Sequence, residues 1–166
     1  LLHRDIKPHN LFLCRLGLEY DVLKILDFGL VKSVGEAEAN LTADGALTGT
    51  PAYMPPERVF GSPAEERSDL YALGCVAYWM LTGQTVFTGE PMAMMIHHAR
   101  TDPKPPSQVS GLPIPERLEE IVLACLENTP QKRPSSAVEL CRQLGEVPLE
   151  TPWTPERAEA WWRSNL

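Results

Sequence analysis

The chemically dense part of this sequence lies at its start. His3-Arg4-Asp5-Ile6-Lys7-Pro8-His9-Asn10 puts a carboxylate, an ammonium two residues on and a carboxamide five residues on into one short loop. Pro8 stiffens the turn between Lys7 and Asn10. A second carboxylate follows in Asp27-Phe28-Gly29, at the end of an apolar run. A strand end would hold Asp27 rigidly, and Gly29 permits backbone angles closed to other residues. Phosphoryl transfer needs such a set. Its transition state spreads negative charge over several oxygens, metal ions neutralise that charge, and a carboxylate orients the attacking hydroxyl. Both tasks require acidic or amide side chains close together on rigid backbone.

Elements able to position these groups can be read along the chain. Leu11 to Leu13 and Val22 to Leu26 are short apolar runs around the loop Gly17 to Asp21, which predicts a small hairpin. Residues 32–50 are poor in large apolar side chains and read as a mobile loop, of the long kind that is usually functional or disordered. Ser68 to Thr82 is predicted to be a helix, capped by Ser68 or Asp69 and ended by Gly83. Its apolar residues cover nearly the whole circumference, which predicts a buried central pillar. Pro91 to Ala99 is a weaker, Met-rich helix, and Met92, Met94 and Met95 read as core or groove filler. Glu116 to Glu127 is amphipathic, with Leu118, Ile121, Val122, Cys125 and Leu126 on one face. Ser136 to Glu139 has a capping-box pattern opening a helix with Ala137, Leu140, Cys141 and Leu144 as its stripe. Thr154-Pro155 starts a last helix whose Trp161 and Trp162 are expected to pack back on the body.

Bulk properties exclude several classes. The 166 residues are 43% hydrophobic and 22% charged, with a formal net charge of -7. That suits a soluble domain with its own core and argues against a nucleic-acid partner, which needs a basic surface. The four cysteines form no CxxC pair and are expected to be reduced thiols, mostly buried. The longest mostly apolar run, Leu70 to Leu81, falls short of the ~18 residues a membrane span requires. No signal-peptide pattern opens these residues, so no membrane segment is expected in this piece and the expected setting is cytoplasmic. His9, His97 and His98 read as solvated surface residues.

Here a resemblance emerges. His3-Arg4-Asp5-Ile6-Lys7-Pro8-x-Asn10 resembles the catalytic loop of eukaryotic-type serine/threonine protein kinases, and Asp27-Phe28-Gly29 resembles their metal-holding motif. Thr48-Gly-Thr-Pro-Ala-Tyr-Met-Pro-Pro-Glu57 is similar to the end of the activation segment, with Pro55 where Ala is usual. Ser68-Asp69-Leu-Tyr-Ala-Leu-Gly74 resembles the start of the buried central helix, and Lys132-Arg133-Pro134 a turn late in the lobe. These motifs occur in the family's order from Leu1 to about Leu144. The compact Gly-Thr-Pro-Ala-Tyr-Met stretch resembles bacterial members. Aminoglycoside phosphotransferases share part of the pattern, but typically lack the activation-segment ending and a lysine two residues after the catalytic aspartate.

The resemblance implies a fold, a reaction and roles. The family is α+β overall, and residues 1–145 would form its mainly α C-terminal lobe with a small β element near the start. Residues 146–166 would be a Pro- and Trp-containing tail. The reaction would move the γ-phosphate of ATP to Ser or Thr hydroxyls of a protein substrate. Asp5 would accept the hydroxyl proton or orient the hydroxyl, and Lys7 would touch the γ-phosphate. Asn10 and Asp27 would hold Mg2+ with ATP, and Thr50 would bridge toward Asp5 and Lys7. His3 would be a packed, hydrogen-bonded residue. Glu57 and Arg133 would form a buried ion pair, and Asp69 would anchor the catalytic loop from below. Arg4 would pair with a phosphorylated residue of the activation segment, Thr42 before Thr48, with Ser33 behind them.

The Gly-rich loop, strand lysine and helix glutamate of the N-terminal lobe are absent from these residues. The piece alone is therefore expected to bind ATP poorly, to expose its inner face and to have low stability. Its natural partner would be its own N-terminal lobe. A different class of protein, a pseudokinase or docking scaffold, is the competing reading, as is a truncated product. Neither would need Asp5, Lys7, Asn10 and Asp27 together, and all four are present.

Overall fold

The chain is described by a computed structural model over residues 2–27 and 50–165. A 3₁₀ turn at Pro8–Asn10 leads into β1 (Leu11–Leu16), which pairs antiparallel with β2 (Glu19–Ile25). The register runs from Leu11 opposite Ile25 to Leu16 opposite Glu19. The strands are longer and the turn tighter than the apolar runs predict, because the backbone ladder continues through polar positions. Gly17, at φ 61°, makes the left-handed turn that closes the hairpin. Between the Cys14–Val22 and Leu16–Glu19 pairs, β2 carries one extra residue, and Asp21 within this bulge has φ 57°.

Helices follow the hairpin: α1 (Pro56–Val59), α2 (Glu66–Thr82), α3 (Pro91–Arg100), α4 (Glu116–Cys125), α5 (Ala137–Gly145) and α6 (Pro155–Asn165). The described structure is thus mainly helical with a small antiparallel sheet. α2 supplies most of the core. Its Tyr71, Cys75 and Tyr78 pack with Val86, Val122 and Leu126. Leu70 joins Ile121, Cys125 and Leu140, while Ala72 and Val76 meet Ile6 of the N-terminal loop. Each large apolar side chain buried in this way contributes roughly 1.5–3 kcal/mol. Gly74 lets α4 approach, for a Cβ there would lie 2.7 Å from Cys125 Cβ.

α2 departs from expectation in two ways. It begins before Ser68, at Glu66, so neither Ser68 nor Asp69 is its N-cap, and Ser68 completes a capping box from inside the first turn. Glu65 precedes the helix, and its backbone N–H donates to Ser68 Oγ at 3.0 Å. One side also stays open: Leu73, Trp79 and Met80 are exposed. On the hairpin, Phe12, Leu13 and Leu23 are exposed as well.

Other positions shift too. Cys75 and Cys125 are buried free thiols, but Cys141 is exposed and Cys14 half-buried. Along α5 only Leu140 of the expected stripe is buried, since the contact with α4 is narrow. Ser136 caps α5 by accepting the Glu139 N–H at 3.1 Å, while the Glu139 carboxylate turns to Arg142 and Gln143. Of the methionines in α3, Met95 is buried and Met92 exposed. No helix among the described residues is long and apolar enough to cross a membrane.

His98 is the largest correction, being fully buried at 0% exposure where a surface residue was expected. α3 turns it inward against the edge of Phe87, with Nδ1 2.7 Å from the Tyr71 hydroxyl. Burial pushes its pKa from 6.5 down to about 4. The unfolded chain therefore binds a proton near pH 6.5 that the folded protein refuses until about pH 4. Stability should fall as pH falls through that window, by at most about 1.4 kcal/mol per pH unit for one proton. Glu57 and Glu139, lowered from 4.5, lose their contribution only below that value. Equilibrium unfolding measured between pH 6.5 and 4.5 should show this slope, and His98→Asn should flatten it.

Candidate active site

The loop before β1 is held by backbone bonds to α2 and β2. Asp69, in the first turn of α2, accepts the N–H of His3 at 2.7 Å and of Arg4 at 2.8 Å. Arg4 has φ 69°, a left-handed conformation costing about 1–3 kcal/mol for a non-glycine residue. The two bonds to a carboxylate offset that cost, since such bonds are worth about 1.5–3 kcal/mol each. His3 is buried; its Nε2 lies 2.9 Å from the Leu26 carbonyl, and its Nδ1 accepts the Asp5 N–H at 3.3 Å. Leu26 in turn donates its N–H to the Asn10 carbonyl at 2.9 Å. The loop and the end of β2, which carries Asp27, are thereby stitched together.

The polar side chains converge on Asp5. Lys7 Nζ lies 2.8 Å from Asp5 Oδ2 and donates to Thr50 Oγ1 at 3.5 Å. Asn10, itself buried, donates from its amide nitrogen to the Asp5 carbonyl at 2.8 Å and to Asp5 Oδ2 at 3.0 Å. Both contacts use the nitrogen, so among the described residues the amide oxygen is left for another partner. Asp27 follows Leu26 at φ 55°, exposed to solvent. An amide oxygen and a carboxylate are the hard donors that Mg2+ takes, so this set fits that ion. The structure thus brings together Asp5, Lys7, Asn10 and Thr50, with Asp27 reached through the backbone. Gly29, Ser33, Thr42 and Thr48 lie outside the described residues, and Arg4 is exposed beside Asp5.

Beneath the loop, Arg133 bonds both oxygens of Glu57, at 2.9 and 2.8 Å. Its remaining donors meet the carbonyls of Glu127, Arg67 and Asn128, and its guanidinium stacks 4.7 Å from the Tyr71 ring centre. Ser68 Oγ donates to Glu57 Oε1 at 2.6 Å. Burial pushes the Glu57 carboxyl up, but the bonds from Arg133 and Ser68 and the guanidinium charge outweigh it and hold the pKa below the usual range. Ser68 and Tyr71 were not read from the sequence as partners of this pair. Their proximity to Asp69 was the available signal, because consecutive helix positions must face different neighbours.

The family model described as "Protein kinase domain" matches residues 1–145. The chain is 34% identical to a probable serine/threonine-protein kinase PknB of Corynebacterium glutamicum, over 96% of this chain and 26% of that protein. It is 36% identical to the serine/threonine-protein kinase PknB of Mycolicibacterium smegmatis, over 89% of this chain and 23% of that protein. It is 39% identical to the serine/threonine-protein kinase Pkn1 of Myxococcus xanthus, over 82% of this chain and 20% of that protein. The chain therefore spans about a quarter or less of the length of these relatives.

Because Arg133 has no exposed side-chain surface, its replacement strands a half-satisfied carboxylate. Arg133→Met should cost about 3–5 kcal/mol in equilibrium unfolding. A loss under about 1 kcal/mol, typical of an exposed pair, would show that Glu57 is not held as described.

Proposed function

Since this chain belongs to the protein kinase domain family, we propose that the full-length protein transfers the γ-phosphoryl group of ATP to serine or threonine hydroxyls of a protein substrate. The observation that carries the reading is the convergence of Lys7, Asn10 and Thr50 on Asp5. Asp5 orients the acceptor hydroxyl and takes its proton as the oxygen attacks phosphorus. Lys7 keeps a positive charge beside the carboxylate and meets the γ-phosphate oxygens. Thr50 links the end of the activation segment to that lysine and shapes the floor on which the acceptor residue rests. Asn10 and Asp27 hold Mg2+, which when bound neutralises charge on the phosphate oxygens. Asn10 also fixes the Asp5 carboxylate through its amide nitrogen, so one residue serves the metal and the base.

An N-terminal lobe, lying outside these residues, grips the nucleotide in this reading and covers the exposed apolar surface of the hairpin. Arg4, exposed next to Asp5, receives a phosphate carried on Thr42. Lysine two residues after the aspartate favours serine and threonine as acceptors over tyrosine.

Transfer of labelled phosphate by the full-length protein to a mixed protein acceptor tests this. Asp5→Asn should reduce turnover by about 10²–10⁴-fold, the usual worth of a positioned acid–base group. Asp27→Asn should abolish the Mg2+ dependence along with the activity. A wild-type protein that transfers no phosphate, or an Asp5→Asn variant as active as wild type, would mark the chain as a binding module.

A further inference from the structure

The tail beyond residue 145, outside the matched family region, places two indole N–H groups on one carboxylate of the hairpin. Asp21 Oδ2 accepts the Trp153 indole N–H at 2.6 Å, and Asp21 Oδ1 accepts the Trp162 indole N–H at 2.7 Å. The two donors come from different parts of the tail, one before α6 and one near its end, so both must be in place for the clamp to close. Each is itself oriented. Arg157 stacks 5.5 Å from the Trp153 ring centre and donates to the carbonyls of Thr151 and Pro152. Trp162 meets the Trp161 ring edge-on at 5.9 Å. α6 lies against β2, and its Ala158 is buried at 4% exposure. The indole bonds, Trp162 first, hold the Asp21 carboxyl below its ordinary pKa.

Asp21 is the bulged, left-handed residue of β2, and the same strand delivers Asp27. A two-stranded hairpin is marginal alone, and this one exposes Phe12, Leu13 and Leu23. It is fixed at two ends. At the site end, Leu26 bonds Asn10 and His3. At the turn end, the double indole clamp takes the bulge. From this we infer that Trp153 and Trp162, through Asp21, are positioning residues that set the register of β2 and so the placement of the Asp27 carboxylate relative to Asn10. The inference rests on the proposed role of Asp27 as a Mg2+ ligand. The tail is then a strut of the metal site, although no residue of it touches the reacting atoms.

Trp153→Phe/Trp162→Phe in the full-length protein keeps an aromatic ring at each position, smaller than the indole, and removes both N–H donors. Amide exchange over residues 19–26 reads the clamp, and calorimetric titration of Mg2+ with a non-hydrolysable ATP analogue reads the site. The KM for the protein acceptor reads the rest of the lobe. Faster exchange in β2 and about tenfold weaker Mg2+ binding, with acceptor KM unchanged, are expected, in line with the loss seen when supports of metal ligands are removed. Asp21→Asn, which retains one acceptor oxygen, should fall between the double variant and wild type, and serves if the double variant does not fold. Faster exchange with unchanged Mg2+ binding would overturn the positioning role, leaving the clamp a packing contact. Unchanged exchange would overturn the clamp itself. A wild-type protein that binds the metal and nucleotide but transfers no phosphate would refute the proposed function while leaving the clamp standing on the exchange and titration data.

Discussion

Asp69 accepts the backbone N–H groups of His3 and Arg4 in the same carboxylate, and without that pair of bonds the left-handed turn at Arg4 has no compensation. The turn matters because it sends the chain from the floor of α2 up to Asp5 in a single step. Asp5 then lies where Lys7, Asn10 and the Thr50 hydroxyl converge. Asp69 is also the first α2 residue after Ser68, whose hydroxyl serves Glu57, and two before Tyr71, whose ring lies under Arg133. Successive residues of one helical turn thus hold the loop, the ion pair and the core. Farther along the helix, Gly74 and Tyr71 are packed against α4 and α3.

The ion pair plays a different part. A buried carboxylate and guanidinium gain little over a well-packed apolar pair, so their use here is geometric. Glu57 ends the segment that carries Thr50, while Arg133 joins the end of α4 to the turn before α5. Their bidentate bond fixes Thr50 relative to α2, and hence relative to Lys7. The site is assembled from two segments that both refer to the same helix.

The short-range part of this was legible in the sequence. His3 to Asn10 are neighbours along the chain, so residue types and spacing already limited what they could do. Asp69 and Arg133 were legible only through the resemblance, because their partners are 66 and 76 residues away. His98 was not legible. It follows another histidine in an even-textured helix, and which of the two faces inward depends on where α3 meets Phe87 and Tyr71. Asp21 was invisible for the same reason at longer range. An aspartate in a predicted loop and two tryptophans in a tail are ordinary residues until folding joins them across 132 and 141 positions. The exposed Leu73 and Met80 show the reverse limit: composition shows that a helix is apolar all round, but not which neighbours are there to cover it.

The central claim is that these residues form one phosphoryl-transfer site, and the most direct test is a crystal structure of the full-length protein with Mg2+ and a non-hydrolysable ATP analogue. The account predicts Mg2+ within about 2.0–2.1 Å of the Asn10 amide oxygen and an Asp27 carboxylate oxygen, with the γ-phosphate between Lys7 and Asp5. A nucleotide bound with its metal away from Asn10 and Asp27, or with the γ-phosphate out of reach of Asp5, would contradict it.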